Sequence, residues 1–154
     1  MSTKAGFTVI EILIAIGIII LLADIGSSAF VSTKKARELG TITDGIAATL
    51  DLAKNQALAG KQGSDFGVKF ESSSYTYFQG SSFDQANTNN KTNTMLTGYV
   101  ISTSLLPSTN DVVVFARLTG RPSAVGDIVI SNASDPQRIH TVRIGSLGDI
   151  TVIK

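Results

Sequence analysis

Residues 7–23 form a predominantly apolar run, FTVIEILIAIGIIILLA, that follows the polar hexapeptide MSTKAG and contains a single acid, Glu11. No other feature constrains the chain as strongly. As an α-helix, the roughly 24 residues from Phe7 to Phe30 would be about 36 Å long, more than the roughly 30 Å hydrocarbon core of a bilayer. A secretory signal places its small cleavage residue beyond the apolar region. Here the small residue, Gly6, stands before it, so a cut at Gly6 would leave the apolar helix on the mature chain. Lys4 favours a cytoplasmic amino terminus, whereas Lys34, Lys35 and Arg37 on the far side oppose that orientation.

Glu11 asks for a compensating charge. An acid in a membrane helix costs on the order of 2.5–3.5 kcal/mol on insertion scales. Cleavage after Gly6 would create an α-amino group on Phe7, protonated near neutral pH, one helical turn from Glu11. The pair could close within one helix, where positions four apart share a face, or between neighbouring helices packed with a stagger. A plain anchor whose Glu11 reaches interfacial water is the competing reading.

Gly6 before the cut, Phe7 as first mature residue, Glu11 as the fifth and the apolar run beyond them resemble the processing signature of type IV pilins and type II secretion pseudopilins. The resemblance implies a prepilin peptidase that cuts after Gly6 and N-methylates Phe7. It also implies that Phe7 and Glu11 carry assembly with other pilin or pseudopilin subunits on an inner-membrane platform. The expected location is a single-pass membrane protein with an extracytoplasmic head, then a filament. Many major pilins have proline where this chain has Ser28, within Gly26-Ser27-Ser28, and glycine weakens a helix there by about 1 kcal/mol. Asp24 reads as a carboxylate at the membrane boundary or as an inter-subunit contact.

Past the apolar run, Leu39, Ile42, Ile46, Leu50, Ala53 and Ala57 recur at helical spacing, and Gly60 is a stop signal. Residues 66–70 and 75–78 read as a hairpin, and 79–98 as an exposed polar loop. Strands are expected over 99–102, 112–118, 127–131, 141–144 and 149–153, with turns at Leu106-Pro107-Ser108, Gly120-Arg121-Pro122 and Ser134-Asp135-Pro136. The expected fold is α+β, a long amino-terminal helix packed on an antiparallel sheet. Its divisions are a leader (1–6), a membrane or filament-core helix (7–30), an amphipathic helix (31–59) and a β-rich head (60–154). The stretches VVVFARLTGRPS, GDIVISN and IHTVRIGSLGDITV resemble the GspH/FimT group of minor pilins and pseudopilins.

Chemistry has little to work with. The chain lacks cysteine and holds one histidine, His140, with no neighbouring carboxylate in sequence. The stretch GKQGS lacks the spacing of a phosphate loop. No metal-ligand pattern and no cofactor is expected, and an enzyme is not. A net charge of +1, from 13 basic and 12 acidic residues, gives no global pull towards nucleic acid. Arg117, Arg121, Arg138, Arg143 and Lys154 are a mild basic excess that could contact DNA if they shared a face, as the resemblance to pilins of DNA uptake suggests.

Overall fold

A computed structural model describes residues 6–107 and 110–154, and for residues 23–29 the backbone alone. The expected leader, residues 1–5 with Gly6 at its end, thus lies almost wholly outside the described residues. One helix, α1 (Val9–Leu58), is followed by eight strands: β1 (Phe66–Phe70), β2 (Ser74–Gln79), β3 (Lys91–Thr94), β4 (Tyr99–Leu106), β5 (Val112–Phe115), β6 (Val125–Asn132), β7 (Asp135–Ile144) and β8 (Ile150–Ile153). The chain divides into two compact units, Met1–Arg37 and Glu38–Lys154. Helical backbone continues through Gly26-Ser27-Ser28, while the side chain of Asp24 lies outside the described residues.

In the second unit the α+β expectation holds. The apolar stripe of α1 buries Leu39, Ile46, Leu50, Ala53 and Ala57 completely, with Ile42 packed beside them. Full burial of each leucine or isoleucine contributes about 1.5–3 kcal/mol. One core joins that stripe to Val68, Phe70, Val113 and Phe115 on one sheet and Ile128, Ile130, Val142 and Ile144 on another. The expectation of one sheet is corrected here. Two four-stranded antiparallel sheets form, in the orders β3-β2-β1-β5 and β4-β6-β7-β8. The outer face of the first sheet is also covered. Phe78 lies across Gly67, where an added Cβ would come within 2.5 Å of its ring, and Phe83 meets Phe78 edge-on at 5.4 Å.

Two further expectations change. The polar stretch 79–98 is not all loop: β3 pairs with β2 in the register Thr76↔Thr92, reinforced by a 2.9 Å hydroxyl contact. All four β3 residues are exposed, so no apolar alternation marked it as a strand. Asp135 and Pro136 belong to β7 rather than to a turn, which instead forms at Ala133-Ser134, where the Ser134 N–H donates to Asn132 Oδ1 at 2.8 Å. Pro136 is tolerated because the ladder jumps there, from Ser131↔Ile139 to Asn132↔Asp135, and asks no N–H of it.

The glycine-bearing turns of the carboxyl-terminal third have a shared purpose. At the end of α1 the Ala57 carbonyl accepts two N–H groups, that of Gly60 at 2.9 Å, which closes the last turn, and that of Leu118 at 2.8 Å. Gly120, with φ 62°, sits so close to Leu58 that a Cβ would come within 2.8 Å of its Cγ. From the last turn, Gly148 approaches the Gly120 carbonyl, and Lys54 Nζ donates to the Gly148 carbonyl at 2.8 Å. The LTGRP and SLG segments therefore lock the helix end to both sheets.

The sheet side of α1 is held by polar contacts as well. Thr43, wholly buried, donates to the Leu39 carbonyl at 2.7 Å, so its oxygen is left to accept from His140 Nδ1 at 3.2 Å. Burial holds the His140 pKa below its ordinary value; Lys154 and Arg138 act in the same direction and Asp44 against it. Because the unfolded chain takes up the proton first, the stability of the head should fall as pH drops below about 6.5. Thermal melts between pH 7.5 and 5 should show that fall, and a His140→Gln variant should lose it. Equal slopes in the two proteins would remove His140 from the account.

Candidate functional site

The first turn of α1 is built by four residues. Thr8 caps the helix: its Oγ1 accepts the Glu11 N–H at 3.3 Å, and its carbonyl accepts the Ile12 N–H at 3.3 Å. Thr8-Val9-Ile10-Glu11 has the spacing of a capping box, with Phe7 and Ile12 at the positions of a hydrophobic staple. A carboxylate in this turn also faces the positive end of the helix dipole. The T-x-x-E spacing of Thr8 and Glu11 is the local signal for this role, beside the charge that Glu11 places in an apolar segment. Gly6 and Phe7 precede the helix and are exposed, and nothing lies within 4 Å of the place a Gly6 Cβ would occupy.

From Ile12 to Leu22 the helix is apolar on every side. Ile12, Leu13, Ile14 and Ile16 cover most of its circumference and are 49–61% exposed, and Ile18 to Leu22 are exposed to the same degree. A helix hydrophobic all round belongs inside a larger protein assembly or in lipid. Its backbone hydrogen bonds are internal, so it can be stored in either. Among the described residues no helix is long and apolar enough to cross a membrane. The expected span, 7–30, includes residues 23–29, whose side chains are outside that description.

The five basic residues do not share one face. Arg143 forms a two-pronged pair with Asp127, at 2.7 and 2.9 Å, which holds the Asp127 carboxyl below its usual range. Arg138, on β7 beyond the regular pairing with β6 that ends at Ile139, lies 3.5 Å from Asp135. Lys154 pairs with Asp44 of α1 at 3.0 Å. Arg117 and Arg121 are exposed on the turn after β5, where the Arg117 N–H donates to Asp65 at 2.7 Å. Three of the five are thus already matched to carboxylates. Among the described residues no three of His, Asp or Glu gather as a metal site would require.

No protein-family model and no curated protein matches the sequence. A solved structure does: the minor pseudopilin EpsH from the type 2 secretion system of Vibrio cholerae, with a TM-score of 0.59 and 17% identity. The alignment covers 75% of this chain and 96% of that one. The chain has the pseudopilin fold. That fold accounts for the amphipathic half of α1 lying on antiparallel sheets, and it agrees with the family resemblance carried by Gly6, Phe7 and Glu11.

Proposed function

We propose that this chain is a non-catalytic structural subunit of a pilus-like filament, of the minor pilin or pseudopilin kind, assembled through its amino-terminal helix. The observation that carries the reading is a capped helix, apolar on every face and exposed, in a chain with the pseudopilin fold. On this reading residues 7–30 are held in the cytoplasmic membrane with the head outside. A prepilin peptidase cuts after Gly6 and methylates Phe7, and an inner-membrane platform passes the subunit into a filament beside other pilins or pseudopilins. The similarity to EpsH favours a secretion pseudopilus.

Glu11 then has two successive partners. Before assembly its carboxylate faces the first-turn N–H groups and the new Phe7 ammonium. In the filament a neighbour's Phe7 ammonium takes that place, so the charge is matched in both settings and its burial is offset.

Co-expression with a prepilin peptidase tests the reading directly. Intact mass and amino-terminal sequencing should find a chain that begins at methylated Phe7. Gly6→Ala should reduce cutting by at least about tenfold; nothing in the fold crowds that position, so the loss would report recognition. A chain that keeps Met1 under these conditions sinks the proposal.

A further inference from the structure

The last turns of α1 lie near one edge of the first sheet. β3 is the outermost strand, and a cleft of about 260 Å³ opens between the last turns of α1, the turn after it and the β2–β3 edge. We propose that this cleft binds an acidic saccharide, a hydroxyl-rich ring bearing a carboxylate. The inference is independent of how the chain is processed or assembled.

The lining chemistry selects that class. Gln56, Gln62, Gln79 and Asn89 present carboxamides, and Lys61 and Lys91 present ammonium groups; no carboxylate lines the cleft. Among the described residues neither lysine is ion-paired. A carboxamide offers donor and acceptor side by side, as a sugar hydroxyl does, whereas lysine donates only. A bare phosphate has no hydroxyl pattern to engage four carboxamides, and a neutral sugar has no use for two unpaired ammonium groups. A saccharide carboxylate uses both.

The floor argues against nucleic acid. Phe66 and Tyr77 stack at 5.9 Å with an interplanar angle of 18°, but they are only 2% and 8% exposed. No aromatic face is open on which a base could stack, the usual device for single strands. What Tyr77 offers is its oxygen. Its O–H donates to Gln56 Oε1 at 2.5 Å, which orients the carboxamide so that the Gln56 amide hydrogens remain as donors. Leu52, 45% exposed, supplies an apolar wall for the C–H face of a ring.

Backbone geometry adds an independent sign. Gln62 has φ 53°, in the left-handed region that costs free energy for a residue other than glycine, and the hydrogen bonds of the short 3-10 turn at Lys61–Gly63 hold it there. Such strain collects at ligand sites. The volume lies below the roughly 300–1,000 Å³ of sites for drug-sized ligands, which suits one sugar unit of a chain whose neighbours run out into solvent.

The test uses the full chain in detergent micelles, titrated calorimetrically with trigalacturonate, maltotriose and inorganic phosphate. Saturable binding of trigalacturonate is expected, at least about tenfold tighter than maltotriose or phosphate. It should weaken by about tenfold or more in a Lys61→Gln/Lys91→Gln variant, whose melting should be unchanged because both side chains are exposed. No saturable binding, equal binding of maltotriose, phosphate bound as tightly, or an unaffected double variant would each overturn the proposal.

Discussion

Gly126→Ala is expected to lower the melting temperature of the head by about 8 °C or more. Gly126 is the second residue of β6, paired with Leu105 of β4 and Ile144 of β7, and has φ 140°. An added Cβ would lie 2.0 Å from the Ser104 carbonyl oxygen and 3.2 Å from the Leu105 Cα, both backbone atoms of a paired strand that cannot swing aside. Strain at that φ costs about 1–3 kcal/mol, and overpacking typically another 1–3 kcal/mol. For a head somewhat larger than 100 residues each kcal/mol moves the midpoint by roughly 4 °C, where the ranges for smaller and larger domains meet. Gly40→Ala is the matched control. It lies in α1 with nothing within 4 Å of its Cβ position, and should stabilise the helix by about 0.5–1 kcal/mol. Circular dichroism melts of the full chain in detergent decide the matter; coincident melts for Gly126→Ala and the parent would show that β4 and β6 do not pair in this register.

Ile16→Lys tests the other unit and should leave those melts alone. On the proposed function, a lysine at the middle of the apolar helix adds about 2.5–3.5 kcal/mol to membrane insertion, a roughly 60- to 400-fold shift in partitioning. The same charge would be buried without a partner among packed helices, so filament incorporation should fall with it. Expected results are loss of the variant from the membrane fraction and from sheared filaments, with an unchanged head transition. Retention in both would mean that this face of the helix is not covered in either setting. An Ile16→Leu variant keeps the volume and the apolar surface and should behave as the parent does.

The physics behind these two results explains which parts of the chain could be read early. The stripe from Leu39 to Ala57 is a local periodicity, and local periodicity survives into the structure: five of its six residues are wholly buried. The hairpin at Phe66 and the glycine stop at Gly60 were visible for the same reason. β3 was not, because an exposed edge strand such as Lys91–Thr94 owes its existence to the backbone of β2 rather than to its own side chains. The Ser134-Asp135-Pro136 turn signal was overruled by a bulge, which depends on pairing with β6 and cannot be seen from β7 alone.

The same division runs through the functional residues. Residue order alone determined that an apolar helix with one acid follows a small residue, that no thiol chemistry is available and that a second, amphipathic helical stretch must find a partner surface. Only the tertiary structure decided that the partner is a pair of sheets, that LTGRP and SLG meet at the end of α1 and that Arg138 and Arg143 are matched to different carboxylates. It also brought Gln56, Lys61, Tyr77 and Lys91, spread over a long stretch of chain, to one cleft. Periodicity and capping act between near neighbours and are written in the order of residues; long-range strand pairing and the close approach of glycines depend on which surfaces meet, which no local pattern encodes.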